Sequence, residues 1–338
     1  MTSIPVAPGV SAGRRAWRFR EGSPWPRYLL GRLAGVVVLA ALLVVFTFLI
    51  VHLVPGDPAR NVLGINATAA QVQQVTRQLG LNEPLVVQFG HYASNLASGN
   101  LGTSYVTGQP VAVMIGQRLP VTAELAGLAL VIVVVVGFPL GILIGSLQRS
   151  GRARSAGSLF TMGASLGGAM PEYITGTLLI FVVALSLHLL PVQGGTSPSQ
   201  IILPAISVAF APTAVFARLV RNETATVLGQ EYITTATSKR LPVWRFYGSH
   251  VLPNVVTSTL TLGGLLLVAL LGGTVVTENV FNIPGLGTEI VQSILQNDYP
   301  AIQGIILVLG GLAIVITLMV DIALGLIDPR TLLARRGR

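Results

Sequence analysis

The chain has no cysteine. That excludes a disulfide framework and any thiolate metal site. It has one lysine, Lys239, in 338 residues. A phosphate-cradling loop needs Gly-x-x-x-x-Gly-Lys-Ser/Thr. Lys239 instead follows Thr234-Thr235-Ala236-Thr237-Ser238, with no glycine to bring backbone amides up to a phosphate. No nucleotide motor of that kind can be built here, so any energy used must come from elsewhere. The histidines, His52, His91, His188 and His250, are scattered without metal-ligand spacing. Ser104, Ser165 and Ser207 have no evident base, which leaves a nucleophilic enzyme without support. Charge of either sign is scarce, at 10% of residues.

What is present is apolar. Hydrophobic residues make up 52% of the chain and the mean hydropathy is +0.74. Such a composition belongs to an all-α polytopic membrane protein, not to a soluble domain. Six runs are long enough to cross a hydrocarbon core: about 30–54, 121–147, 157–189, 201–220, 255–280 and 302–326. The third is overlong and holds Met170-Pro171, where a kink or break is predicted. The first is too long for a signal-peptide core and reads as a retained span. Arg14-Arg15 does not make a twin-arginine signal, because Arg18 and Arg20 stand where an apolar core would begin.

Arginine placement sets the expected orientation. Basic residues cluster before span one (Arg14, Arg15, Arg18, Arg20, Arg27, Arg32) and after span two (Arg149, Arg152, Arg154). They cluster again after span four (Arg218, Arg221, Lys239, Arg240, Arg245) and at the end (Arg330, Arg335, Arg336, Arg338). Only Arg60, Arg77 and Arg118 fall on the other side. The positive-inside rule then puts both termini in the cytoplasm. The net charge of +9 is accounted for by topology, and no nucleic-acid partner is needed.

The chain is thus expected to divide into a basic tail (1–27), a first span (28–54), an external cap (55–120), a five-helix core (121–327) and a second basic tail (328–338). The core contains a cytoplasmic loop, 221–254. In the cap, Val72, Val75 and Leu79 keep helical spacing up to Gly80. Pro84 can open a second helix and Pro110 a third. Between Gly229 and Leu241-Pro242 lies another short helical stretch, which the proline stops. Tyr232, Thr235, Ala236 and Lys239 recur at steps of three and four and are expected to share one face. Ala236 would let a partner approach closely, and Tyr232 would anchor it. A helix held between two spans can pass rigid-body movement to both. The acidic residues in or near spans are Glu124, Glu172, Glu278 and Asp321. A carboxylate in a membrane is a functional candidate by default. Glu172, Glu278 and Asp321, with Phe281, are therefore candidates for the pathway or its gates.

Residues 231–253 resemble the coupling (EAA) loop of ATP-binding-cassette import permeases. Glu231 matches its acidic start, Thr235-Ala236 its Thr-Ala step and Leu252-Pro253 its close. Arg240 stands in place of the family glycine and His250 in place of its isoleucine. Further stretches, in order, resemble the dipeptide/oligopeptide/nickel branch, first (B-type) permease subunit. They are His52 to Pro58, Leu79 to Leu85, Gly99 to Tyr105, Arg118-Leu119-Pro120, Glu278 to Gly287, Asp298-Tyr299-Pro300 and Asp328-Pro329-Arg330. The likeness runs from about residue 28 to 332. It implies a type I importer permease fold of six transmembrane helices with a small external helical cap, in a bacterial inner membrane. The implied function is half of an ATP-driven import pathway for peptides, with no catalysis by this chain.

The implied partners are a second homologous permease, two cytoplasmic ATPase subunits or one fused chain, an extracytoplasmic substrate-binding protein and membrane lipid. ATP and magnesium would belong to the ATPases, and no cofactor to this chain. The helix at 229–242 would meet the ATPases through Glu231, Tyr232, Thr235, Ala236, Lys239 and Arg240. A small residue or serine usually follows the proline at 171 in this family, so Glu172 is a departure. Other ligands of the family, a nickel chelate or haem, fit the same residues. A stand-alone secondary transporter would be expected to show an internal repeat, and none is evident. An intramembrane enzyme would need a paired nucleophile and base at one depth, and none is found.

Overall fold

A computed structural model of the chain describes residues 25–53, 59, 63, 67–78, 80–149, 154–195, 197–239 and 241–327. Most of the first basic tail, the whole of the second, and Arg240 lie outside the described residues. The described elements are helices. The first, α1, is Trp25–Leu53; two short helices follow, α2 (Ala69–Gln78) and α3 (Leu85–Ala97). Next come α4 (Val111–Arg149), α5 (Arg154–Ala169), α6 (Glu172–Leu179) and α7 (Pro198–Leu228). The last third holds α8 (Glu231–Ser238), α9 (Val243–Phe246), α10 (Leu252–Phe281), α11 (Leu286–Leu295) and α12 (Tyr299–Ile327). Five of these are long and apolar enough to cross a membrane, and six spans result if the bent pair α5–α6 counts as one.

The bend falls where Met170-Pro171 predicts it. Residues 157–169 and 172–186 meet at 97°, and the second half passes from α6 into a π-helical stretch, Ile180–Ser186. Pro171 takes extended backbone as the N-cap of α6 and cannot continue the preceding helix. Four prolines within the long helices do not act as stops. Pro120 and Pro139 lie inside α4, and Pro204 and Pro212 inside α7. The expected third cap helix at Pro110 and the second span are accordingly one helix of 39 residues.

The core is the packing of α4 on α7, the most extensive helix interface described. Its basis is Gly137-x-x-x-Gly141-x-x-x-Gly145 on one stripe of α4. A Cβ on Gly141 would stand 2.6 Å from the Ala217 carbonyl oxygen, and one on Gly145 would stand 2.8 Å from that of Arg221. The backbones touch because no side chain intervenes, the close approach on which membrane helices rely where lipid supplies no hydrophobic drive. Leu125, Ala129, Val133, Phe216 and Val220 fill the rest of that interface.

In the first connection, Thr68 and Gln71 form a reciprocal capping box at the start of α2. The Thr68 amide reaches Gln71 Oε1 at 2.9 Å, and the Gln71 amide reaches Thr68 Oγ1 at 3.4 Å. Gly80, at φ +67°, ends the stretch as predicted, and the Leu81 amide bonds back to the Thr76 carbonyl. Pro84 is the N-cap of α3. That helix lies on α1 through Phe48, whose ring stands 5.3 Å from Phe89 and 5.9 Å from Tyr92, and through a Thr47–Tyr92 hydroxyl bond of 2.9 Å.

Candidate functional site

The loop between α7 and α10 folds as a helix with its own ends. Gln230, in extended backbone, precedes α8, and Lys239 follows it. Pro242 then caps α9, which runs through a π turn, Tyr247–Val251, into α10. Ile233 belongs to the buried cluster that includes Val227 and Leu228 at the end of α7, and Val251 and Val255 at the start of α10. Burial of Ile233 in that core holds α8 against the rest of the chain, with roughly 1.5–3 kcal/mol from the side chain.

The face that Ile233 selects corrects one sequence expectation. Ile233 and Ala236, three residues apart, are both buried in the chain's own packing. Ala236 therefore faces inward and offers no close approach to a partner here. Glu231, Tyr232, Thr235 and Lys239 are exposed. Sequence reasoning missed Ile233, the anchor, and also missed Val243 and Trp244. Trp244 is 76% exposed in the first turn after Pro242. The signal was legible, since a Pro-Val-Trp step after a helix stop puts a large apolar side chain at a helix start.

The carboxylates separate sharply. Glu278 was expected at a gate; it is 0% exposed and tied into the chain. Thr122 Oγ1 donates to its Oε1 at 2.7 Å, and the amides of Gly287 and Thr288 donate to its Oε2 at 2.6 and 3.2 Å. Thr122 in turn accepts the Leu286 amide at 2.8 Å. Glu278 thereby satisfies the orphan amides at the start of α11 and holds them on α4. Asn282, at φ 52°, makes the left-handed turn that brings Asn282-Ile283-Pro284-Gly285 back under it. A Cβ on Gly285 would sit 2.3 Å from the carboxylate. Phe281 is buried in the main core and packs against Gly176 and Gly194.

Two more acids fasten the same end. Glu289 pairs with Arg118 at 2.6 Å. Asp298 accepts the Ser104 hydroxyl and, at 3.0 Å, the Tyr105 amide. Burial pushes the Tyr105 phenol up from its ordinary range, with Asp298 and Tyr299 adding to the shift. Asp321, the remaining gate candidate, binds Arg32 at 2.7 Å, while its carbonyl accepts Tyr28 Oη at 2.8 Å. It ties α12 to α1.

Glu172 differs. It opens α6 at the 97° break, half-buried, and no described basic residue pairs with it. Its carboxylate lies over Gly273 of α10, where a Cβ would stand 2.3 Å from Oε1 and 2.6 Å from Oε2. Its backbone carbonyl accepts the Ser207 hydroxyl at 3.2 Å. Among the described residues, no group of three or more histidines and acids could hold a metal ion.

Comparison with known proteins gives these features a context. Residues 137–333 match the family model for the binding-protein-dependent transport system inner membrane component. Residues 26–126 match the N-terminal model of binding-protein-dependent transport system membrane components. A probable peptide ABC transporter permease protein of Sinorhizobium fredii is 38% identical over 311 residues, 90% of this chain and 98% of that protein. A dipeptide transport system permease protein of Lactococcus lactis is 35% identical over 305 residues, 90% of this chain and 98% of its relative. A glutathione transport system permease protein of Escherichia coli is 37% identical over 302 residues, 89% and 97% of the two chains. Among solved structures, the inward-facing MetNI methionine ABC transporter superposes with a TM-score of 0.52 at 15% identity, covering 64% of this chain and 97% of that one. That likeness is one of fold.

Proposed function

This chain belongs to the family of binding-protein-dependent transport system inner membrane components, and from that premise we propose that it is half of the pathway of an ATP-driven peptide importer. Its fold is the all-helical fold of type I ABC importer permeases. The relatives named for peptide, dipeptide and glutathione transport support a peptide as substrate. A second homologous permease would complete the pathway, and two ATPase subunits or one fused chain, binding ATP and magnesium, would supply the energy. A binding protein would deliver the peptide from outside. The arginine distribution supports both termini in the cytoplasm of a multi-pass inner-membrane protein, with 55–120 as the external cap.

The observation that carries this reading is α8. It is a separate helix whose Ile233 is buried in the main core, with Tyr232, Thr235 and Lys239 exposed. It follows α7 directly in the chain and leads through α9 into α10, so a push on it would reach both spans. Val243 and Trp244, at the start of α9, are exposed as well. Trp244 precedes Val255, where the apolar stretch begins, by eleven residues. At 1.5 Å per residue that is about 16 Å of helix. The headgroup layer on one side is only about 5–7 Å thick. That length supports a position for Trp244 beyond the lipid, against an ATPase subunit.

The test is the assembled transporter carrying Tyr232→Ala or Thr235→Arg. The variants should insert normally, yet lose ATPase co-purification or lose uptake while ATP hydrolysis continues. Unchanged co-purification and unchanged uptake in both would sink the coupling role.

A further inference from the structure

Most described carboxylates near the spans are accounted for. Glu278, Glu289, Asp298 and Asp321 each have a described partner. Glu124 sits within a turn of the start of the apolar run 121–147, and Glu223 lies beyond the end of the run 201–220. Glu172 has neither escape. Gly273, on which its carboxylate rests, is eight residues from the Phe281 end of α10. Eight residues of helix rise about 12 Å, a depth well inside a hydrocarbon core about 30 Å thick. A carboxylate at that depth is expensive unless a cation or a hydrogen-bond donor meets it.

The surroundings are prepared for such a donor. Gly273 removes the one side chain that would cover the carboxylate. The Ser207 hydroxyl fixes the backbone of Glu172 and leaves its side-chain oxygens free for other donors. One turn along the same face of α10, Thr277 is 1% exposed and its hydroxyl has no hydrogen-bond partner. Two polar groups with incomplete bonding thus lie along the contact between α6 and α10. Tyr173 and Val276, next to them in sequence, are exposed in the single chain. The break at Pro171 keeps the acid off a continuous helix, in the arrangement by which discontinuous helices line a substrate path.

We propose that Glu172, seated over Gly273, receives the α-ammonium group of a peptide in transit. An α-amino group, with a pKa of about 7.7–8.0, is mostly cationic at neutral pH and donates three N–H bonds. It supplies both the charge and the donors that the site lacks. The inference rests on the peptide-import reading above.

The experiment uses the complete transporter, with both permeases, ATPases and binding protein, in proteoliposomes. The probes are a mixed set of radiolabelled tripeptides and the same tripeptides N-acetylated, each tested with the native chain, Glu172→Gln and Gly273→Ala. Glu172→Gln is expected to lower uptake of the free-amine peptides about tenfold and to leave the acetylated ones within twofold. Gly273→Ala, which pushes the carboxylate aside, should reproduce that selectivity. ATPase co-purification and stimulation by the binding protein should be unchanged in both variants. Equal loss for the two probes, or no loss, overturns the ammonium site while peptide import stands. Failure of Glu172→Gln to assemble overturns it too, because the acid then pairs with the second permease. If the native transporter takes up neither probe, the peptide-import reading itself fails.

Discussion

Replacing Glu278 should unfasten α11 from α4, by an amount that depends on what replaces it. The carboxylate accepts from Thr122 Oγ1 and from the amides of Gly287 and Thr288, and it is fully buried. Glu278→Ala strands both amides and leaves the Thr122 proton without an acceptor. A buried donor left unsatisfied costs about 1–3 kcal/mol, so the two amides alone put the loss at roughly 2–6 kcal/mol, with about 4 kcal/mol as the central value. Glu278→Gln is milder. Its carbonyl oxygen can take the Oε2 position and keep both amides, while its NH2 faces Thr122, which then accepts. What is lost is the charge assistance and one hydroxyl bond, about 1.5 kcal/mol. Thr122→Val should cost a similar amount, because Thr122 also accepts the Leu286 amide.

The assay is equilibrium unfolding of the purified transporter in mixed detergent micelles titrated with dodecyl sulfate. The expected order of stability is native, then Gln, then Ala. A double-mutant cycle with Thr122→Val should give a coupling of about 1 kcal/mol, because the two side chains share one bond. A Glu278→Ala cost below about 1 kcal/mol refutes the bond-by-bond reasoning, given the penalty for even one stranded amide. Full stability in Glu278→Gln together with abolished uptake would mean that the residue gates the pathway instead of stapling it.

Two further predictions concern packing and the first helix. Gly141→Ala places a Cβ 2.6 Å from the Ala217 carbonyl and must spread α4 from α7; overpacking of this kind costs about 1–3 kcal/mol. Gly127→Ala on the same helix meets nothing within 4 Å and should be neutral or slightly stabilising in the same titration, Ala being the better helix former by up to about 1 kcal/mol. Asp321→Asn breaks the 2.7 Å pair with Arg32, which is partly open to solvent, so a loss of only about 1 kcal/mol is expected. It should leave uptake intact, and loss of uptake with unchanged stability would return Asp321 to the pathway.

What the sequence disclosed follows from where the determining forces are local. Gly80, Pro84 and Pro171 act on their own backbone, and the boundaries read from them are found. Pro120 misled because a proline inside a membrane helix has its freed carbonyl re-satisfied by neighbours, so α4 runs through it. The acids misled for the opposite reason. Glu278 meets Thr122 across 156 residues, and Asp298 meets Ser104 across 194, pairings that no local spacing foreshadows. On α8 the helix was legible but its inward face was not. The periodicity of Tyr232, Thr235, Ala236 and Lys239 describes a surface without saying which side the rest of the chain occupies. Ile233, buried in the main core, settles that question.

The central claim, that α8 transmits movement between an ATPase and this permease, has a direct measurement because the chain contains no cysteine. Thr235→Cys on the exposed face of α8 and Val86→Cys on α3, where the side chain is 82% exposed, would each be the chain's sole thiol. In the assembled transporter, a short bismaleimide should link the thiol at 235 to an ATPase subunit, with a yield that changes between nucleotide-free and ATP-bound states. The thiol at 86 should give no ATPase product and should react with a membrane-impermeant maleimide from outside the cell. The account is contradicted if position 235 gives no ATPase product in any nucleotide state, or if it is the position that the outside reagent labels.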